Sequence, residues 1–253
     1  MLVRDDAIVL RRFEFGETSL VLHLLARARG RLSVLAKGAY RPRSPFLGTL
    51  DLLNRIEAVV SIAPRREVQI LAEADLREAH PGLRHDLRRL HAAFYLSELV
   101  QEGAREGEPS PDLHDLFADA LRLLSSGAGE PDSIVLCFEL RYLGILGLRP
   151  AVSACGACGK ALPRAGSIPF SPGAGGALCG ECTREARGVV RVPAGTLRVA
   201  ARLSEIHLDE ATRIRLHPRL AAGLRSLLDD FLVYHFERPP RSRRHLLWGA
   251  SSR

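Results

Sequence analysis

The sequence is short of lysine, aromatic residues and long apolar runs. Lysine occurs only at Lys37 and Lys160, beside 34 arginines, and Phe, Trp and Tyr together make up 6% of the 253 residues. The core must therefore come mostly from Leu, Val and Ala. No uncharged apolar stretch reaches the roughly 18 residues that a membrane-spanning helix requires, so no such span is expected.

The short motifs of common enzyme classes are also missing. The sequence contains no GxxxxGK[ST], GxSxG, HExxH or GxGxxG pattern. Two pairs of adjacent carboxylates, Asp5–Asp6 and Asp229–Asp230, are expected to be solvated, because neighbouring side chains point in different directions on a strand or helix. We therefore expect a protein without catalytic activity.

The N-terminal residues do not read as a targeting segment. Charges at Arg4, Asp5, Asp6, Arg11 and Arg12 interrupt the apolar stretch that a signal peptide needs. We expect a cytoplasmic protein, in which structural disulfides are uncommon.

Positive charge is concentrated rather than spread evenly. The net charge is +7 and the pI is about 9.6, which suits a polyanionic partner. Between Arg27 and Leu50 there is no acidic residue, and the basic residues are Arg27, Arg29, Arg31, Lys37, Arg41 and Arg43. A solvated face seldom avoids all counter-charge over such a length, so this segment favours contact with phosphate groups.

The first 79 residues predict a small closed barrel. Five short Leu-rich or β-branched segments cover residues 7–13, 19–26, 31–38, 52–62 and 67–76, and turn residues separate them. An OB-fold is the commonest five-stranded solution, and an SH3-like barrel would give nearly the same pattern. Phe13 and Phe15 are expected in its core, whereas Phe46 is either core or a base-stacking residue.

After the HPG sequence at residues 80–82, apolar residues recur every three or four positions, which is the spacing typical of helices. Helices are predicted within residues 83–104, 110–127, 131–148, 193–206 and 217–236, with Ser110 as a cap and Pro111 at the first helical position. The helix at 131–148 is apolar almost all round and should be central. The whole is thus an α+β protein: an OB-fold over 1–79, and a helical domain over 80–253 that segment 151–188 interrupts.

Four of the five cysteines lie in that interrupting segment. Cys155, Cys158, Cys179 and Cys182 have the spacing C-x2-C-x20-C-x2-C, which predicts two turns that hold one structural Zn²⁺ by four thiolates. Metal-free cysteines and a redox CxxC pair are the alternatives, although the latter expects one pair in a βαβ unit. The intervening residues predict a hairpin too poor in apolar residues to be stable without metal, and Cys137 is expected to be buried.

The order and spacing of three further stretches match one family pattern. Residues 7–45 carry a "VLR" strand, then "GE", then "GR…AKGA" and a basic segment; residues 138–159 read FELRYLGILGLRPAVSACGACG; residues 238–246 read RPPRSRRHL. Together they resemble the RecO family of bacterial recombination mediators. One departure is the LLARARG turn, where the family has a Thr-rich pattern.

This resemblance implies a mediator of DNA repair and recombination. Such proteins bind single- and double-stranded DNA, anneal complementary strands and, with RecR, help to load RecA onto DNA coated by single-strand binding protein. They would be cytoplasmic and associated with the nucleoid. The DNA contacts would be Arg29, Arg31, Lys37, Tyr40, Arg41 and Arg43 in the barrel, and Arg238, Arg241, Arg243 and Arg244 near the C-terminus.

The resemblance also implies a pocket in the helical domain for the acidic tail of single-strand binding protein. Such a pocket needs an apolar floor and an arginine for the carboxylate, and Arg122 and Arg141 are the candidates. Two other classes stay open: a zinc-ribbon accessory subunit of a transcription or translation complex, and a thiol oxidoreductase with a metal-free CxxC.

Overall fold

A computed structural model describes residues 1–236 and 240–246, apart from the side chain of Arg244. It divides into two compact units, the barrel unit (Met1–Gly127) and the helical unit (Ala128–Arg253). Each unit buries its own set of apolar side chains. Among the described residues, no helix has the length and apolar character needed to cross a bilayer.

The barrel unit begins with five strands that close on themselves in the order β1-β2-β3-β5-β4. They are β1 (Leu2–Phe15), β2 (Ser19–Ala26), β3 (Gly30–Ala36), β4 (Arg55–Ser61) and β5 (Gln69–Glu78). β3 and β5 pair in parallel, and the other neighbours are antiparallel. This is the five-stranded barrel of the OB-fold, so the predicted fold class is confirmed.

β1 closes the barrel because it is long enough to pair with two other strands. Its first half, Leu2–Ile8, pairs with β4, and its second half, from Ala7 to Phe15, pairs with β2. A β-bulge between Val9 and Arg11 bends the strand where it changes partner. The sequence pattern had indicated only the second half of this strand.

Two helices complete the barrel unit, α1 (Leu87–Gly103) and α2 (Pro111–Ser126). The Asp86 carboxylate caps α1 by accepting hydrogen bonds from the backbone N–H groups of Arg88 and Arg89. Ser110 precedes α2 as predicted, although its side chain forms no capping bond. Both helices contact β1, which explains why they group with the barrel rather than with the later helices.

The helical unit is built around α3 (Pro131–Ile145), which is buried along nearly its whole length. It contacts α4 (Ala194–Glu205), α5 (Leu208–Ala211) and α6 (Pro218–His235). This confirms the central position predicted from its all-round apolar sequence. Two polar residues of α3 are buried, Ser133 and Glu139, and only Glu139 carries a charged group.

A small antiparallel sheet of order β7-β6-β8 lies in the helical unit. Its strands are β6 (Ser167–Ser171), β7 (Gly176–Ala177) and β8 (Val190–Pro193). The β6–β7 hairpin agrees with the prediction. The segment between the cysteine pairs, however, contributes more buried apolar surface than the sequence indicated. Phe170 is fully buried, and its ring lies 6.1 Å from that of Phe231 on α6. The sheet therefore has an apolar anchor of its own.

Candidate metal centre and nucleic-acid interface

The four predicted metal ligands come together. The Sγ atoms of Cys155, Cys158, Cys179 and Cys182 all lie within 4.8 Å of one another. The Cys158 and Cys179 Sγ atoms are 3.7 Å apart. Four sulfurs bound tetrahedrally at about 2.3 Å from one ion would be separated by about 3.8 Å. The site has the size of a four-thiolate metal centre.

Backbone hydrogen bonds fix both cysteine turns. The Cys155 carbonyl accepts from the Gly159 N–H at 2.8 Å, and the Cys155 N–H donates to the Lys160 carbonyl at 2.9 Å. Gly159 has φ +72, a left-handed conformation that glycine adopts without strain. In the second turn the Cys179 carbonyl accepts from the Thr183 N–H at 3.1 Å and from the Thr183 hydroxyl at 2.7 Å. These bonds orient the sulfurs before any ion binds.

The thiols influence one another's protonation. Burial opposes ionisation of Cys155, but backbone N–H groups of Cys179, Cys158 and Ala157 outweigh it and lower the pKa of the Cys155 thiol to about 6. Hydrogen bonds with Cys158 and Cys179 raise the pKa of Cys182 to about 12. Four adjacent thiolates repel one another, so full deprotonation needs a cation among them. The donor set therefore fits a soft divalent metal ion.

The geometry disfavours a redox CxxC. All four sulfurs converge on one point, and both pairs lie in turns beside an antiparallel sheet rather than in a βαβ unit. Cys137 lies apart on α3, where burial raises the pKa of its thiol to about 12. That side chain is a buried apolar group, as predicted.

Four of the predicted DNA-contacting residues lie together after β3. Lys37, Tyr40, Arg41 and Arg43 are all exposed. The Tyr40 N–H donates to the Thr18 carbonyl at 2.9 Å, which holds this segment against the β1–β2 hairpin. Basic and aromatic side chains thus share one end of the barrel.

Sequence reasoning missed two aromatic residues at that end. Phe13 is 45% exposed and Phe15 is 58% exposed, so their expected place in the core was wrong. Both lie near the hairpin turn on the outward face of β1, because they pair with Val21 and Ser19, whereas the buried Leu20 and Leu22 pair with the alternate residues. The ring of Phe13 packs edge-on against His23. The turn at Gly16, readable from the sequence, was the available signal. We name as the basic–aromatic surface Phe13, Phe15, Lys37, Tyr40, Arg41 and Arg43.

Of the two positions predicted for Phe46, the structure shows the one in the barrel core. Its side chain is 6% exposed and packs with Leu50 and the interior residues of the barrel. A buried ring cannot stack on a base without opening the barrel. The base-stacking alternative for Phe46 is therefore wrong.

Arg29 and Arg31 lie at the beginning of β3, at the opposite end of this strand from Lys37, and have intramolecular partners. The Arg29 guanidinium pairs with Asp5 at 3.0 Å, and that of Arg31 donates to the Gln101 carbonyl at 3.0 Å. Asp5 is buried, so its expected solvation was wrong. Arg29 nevertheless keeps about a third of its side chain exposed (32%), which leaves it accessible to phosphate.

The C-terminal arginines divide into different environments. Arg238 and the side chain of Arg244 lie outside the described residues. Arg241 and Arg243 belong to a short 3-10 turn, Arg241–His245. The Arg243 side chain is only 13% exposed; it lies 2.6 Å from the Glu139 carboxylate and also contacts Asp229. This pairing gives Arg243 an internal role. Asp229 keeps 45% of its side chain exposed, in agreement with its expected solvation.

The two arginines predicted for the partner tail fall in different units. Arg122 lies on α2, is 46% exposed and pairs with Asp119 at 3.1 Å. Arg141 lies on α3 and donates to the Ile206 carbonyl at 2.7 Å. They are two separate candidates rather than parts of one described pocket.

Comparisons with known proteins cover nearly the whole chain. The family described as Recombination protein O N terminal matches residues 1–80, and Recombination protein O C terminal matches residues 84–244. "DNA repair protein RecO" of Pelotomaculum thermopropionicum is 35% identical over 95% of this chain and 92% of its own length. The protein of the same name from Symbiobacterium thermophilum is 31% identical over 95% of both chains.

A third relative supports the same assignment. "DNA repair protein RecO" of Anaeromyxobacter sp. Fw109-5 is 35% identical over 94% of this chain and 93% of its own length. The matches include the barrel, the central helix and the cysteine segment. The chain therefore belongs to the RecO family.

Proposed function

We propose that this protein is a DNA-binding recombination mediator in DNA repair. It binds single- and double-stranded DNA and anneals complementary strands without catalysing a reaction. The observation that carries the proposal is the basic–aromatic surface on an OB-fold of the RecO family. Exposed aromatic rings stack on unpaired bases, and the cations beside them neutralise phosphates.

The two kinds of side chain on this surface have separate tasks. Phe13, Phe15 and Tyr40 offer exposed aromatic rings. Such rings stack on bases whatever the DNA sequence. Lys37, Arg41 and Arg43 offer charges that release counterions from the DNA backbone. The DNA would reach this surface past Arg29 and Arg31, and Arg241 is a further phosphate contact in the helical unit.

The proposed partners follow from the same role. With RecR, the protein would help to load RecA onto DNA coated by single-strand binding protein, in the cytoplasm at the nucleoid. Of the two arginines considered for the tail of single-strand binding protein, Arg122 is the better placed, since its guanidinium is about half exposed. Arg141 is less exposed than Arg122.

The domain organisation and the metal are proposed as well. We propose an OB-fold domain over 1–79, and a helical domain over 80–253 in which segment 151–188 holds one structural Zn²⁺. Zinc accounts best for a four-thiolate set, because it has no redox chemistry and accepts closed tetrahedral coordination. All four ligand positions would be filled by protein, which leaves no open position for catalysis.

The proposal is tested by annealing of complementary oligonucleotides, followed by fluorescence, with and without cognate single-strand binding protein on the strands. We expect acceleration on coated strands. Acceleration on naked strands alone would retain the DNA-binding barrel and remove the tail interaction. A folded, metal-loaded protein that accelerates neither would point to an accessory subunit of a transcription or translation complex, in which the barrel binds RNA or protein.

Removing charge from the basic–aromatic surface should flatten the salt dependence of DNA binding. With Lys37, Arg41 and Arg43 all replaced by Ala, the slope of log K against log salt concentration for single-stranded DNA should fall by about 2, since each neutralised phosphate contributes about 0.7. Fluorescence anisotropy at several salt concentrations measures this slope.

Two controls separate the contributions. The triple variant Arg77→Ala, Arg105→Ala, Arg122→Ala removes equal charge from exposed arginines elsewhere in the barrel unit and should leave the slope nearly unchanged. Replacing Phe13 and Phe15 with Ser should lower affinity at every salt concentration without changing the slope, because stacking releases no counterions. If the two triple variants have equal slopes, Lys37, Arg41 and Arg43 do not contact phosphate groups.

A further inference from the structure

A cavity of about 580 Å³ lies in the helical unit beside the metal centre. Its walls are the turn 171–174, the segment 185–188 and one face of α6. The volume falls within the roughly 300–1,000 Å³ that is usual for sites that enclose a small ligand or a few side chains. Nothing in the metal centre or the DNA-binding surface makes use of this cavity.

The α6 wall presents unusually large apolar groups to solvent. Asp230, Val233 and Tyr234 lie at positions i, i+3 and i+4, so they share one face of the helix. Val233 is 55% exposed and Tyr234 is 62% exposed. Ala174, which is partly exposed, continues this apolar surface across the cavity, and the buried Pro172 also lines it. Adjacent exposed groups of this kind mark a surface that a partner covers.

The charge of the cavity is opposite to that of the chain. Glu185 and Asp230 line it, and neither carboxylate has an ion-pair partner among residues 1–236 and 240–246. Arg187 is the single basic residue on its walls, so the lining carries a net charge of −1, whereas the chain carries +7. Such a lining attracts a cation and repels the phosphates of a nucleic acid.

The cavity is built before a ligand arrives. The Ser171 hydroxyl donates to the Arg187 carbonyl at 2.7 Å and accepts from the Ala174 N–H at 3.3 Å, which ties two walls together. A Cβ at Gly173 would lie 2.9 Å from the Tyr234 hydroxyl oxygen, so glycine is what lets the ring approach this turn. Segment 185–188 follows Cys182 closely, and the metal centre therefore fixes the third wall.

We propose that this cavity docks a cationic side chain, Arg or Lys, from an apolar segment of a partner protein. The guanidinium or ammonium group would bind Glu185 and Asp230 through charge-assisted hydrogen bonds and lie over the exposed ring of Tyr234. Flanking aliphatic residues would cover Val233 and Ala174. The proposal is independent of DNA binding.

The experiment titrates isotope-labelled full-length, metal-loaded protein with the capped peptide Gly-Leu-Arg-Leu-Gly and follows backbone amide shifts by NMR. We expect saturable shifts at Gly173, Gly188 and Val233 at peptide concentrations up to about 10 mM, the range of a weak single-site contact. The double variant Glu185→Gln, Asp230→Asn should weaken binding about tenfold, since both charge-assisted bonds are lost. Both substitutions preserve side-chain size at exposed positions.

A matched control is Glu205→Gln, which removes an exposed carboxylate of the same unit outside the cavity and should leave peptide affinity unchanged. The peptide Gly-Leu-Glu-Leu-Gly and a single-stranded oligonucleotide should not shift the cavity amides. The proposal is overturned by the absence of saturable shifts. It is equally overturned by equal binding of the Glu peptide, by shifts at these amides with the oligonucleotide, or by a double variant that binds as the parent does.

Discussion

Replacement of Arg243 by Met should lower the free energy of unfolding of the helical unit by about 3–5 kcal/mol, the usual cost of removing one partner from a buried ion pair. The Glu139 side chain is fully buried, and the Arg243 side chain is 13% exposed. Their 2.6 Å contact joins the C-terminal 3-10 turn to α3, and Arg243 also contacts Asp229 on α6. Chemical denaturation followed by circular dichroism measures the loss.

An exposed arginine of the same unit supplies the control. Arg219→Met, near the start of α6, should change stability by no more than about 0.5 kcal/mol. Adding Glu139→Gln to Arg243→Met should recover part of the loss, because the buried charge disappears with its partner. If Arg243→Met instead leaves stability intact and weakens DNA binding, Arg243 is a DNA contact, as the sequence had suggested.

Replacement of both Cys155 and Cys158 by Ala should abolish metal binding and lower the melting temperature by about 10 °C or more. Structural zinc sites in isolated fingers supply about 10–16 kcal/mol of apparent folding free energy. A loss of only about 4 kcal/mol corresponds to about 8–16 °C for a chain of this size. Elemental analysis for bound zinc and differential scanning calorimetry are the measurements.

The full zinc-finger value is not expected, because the sheet is partly held by Phe170 on Phe231. Cys137→Ala serves as the control: it removes a thiol far from the site in sequence and should keep one equivalent of metal. DNA affinity well below the melting temperature should persist in the double cysteine variant, since the basic–aromatic surface belongs to the barrel unit. An unchanged melting temperature, or a parent protein without metal, would contradict the metal-centre interpretation.

The elements that the sequence predicted are those encoded by short-range patterns. Short Leu-rich or β-branched segments between turn residues defined the strands. A period of three to four residues defined helices such as α1, and an almost continuously apolar sequence defined α3. The cysteine spacing brought the four thiols together, because each pair needs only a local turn. Family membership followed from motifs whose order is itself a property of the sequence.

Other features depend on contacts between distant parts of the chain. Phe13 and Phe46 are both apolar, yet one is 45% exposed and the other 6%, because the first lies on the outward face of β1 and the second lies inside the barrel. The face on which Phe13 lies depends on the register between β1 and β2, which shifts at the bulge between Val9 and Arg11.

The arginines also show which features the sequence determines and which depend on the tertiary structure. By itself the sequence determined that arginine is abundant near both ends, and it gave Arg29 and Arg243 the same predicted role. The tertiary structure decided that Arg29 pairs with Asp5 while staying one-third exposed, and that Arg243 is enclosed against Glu139, 104 residues away. A guanidinium has the same chemistry in both places, but burial makes an internal partner necessary in one and leaves the other accessible to DNA.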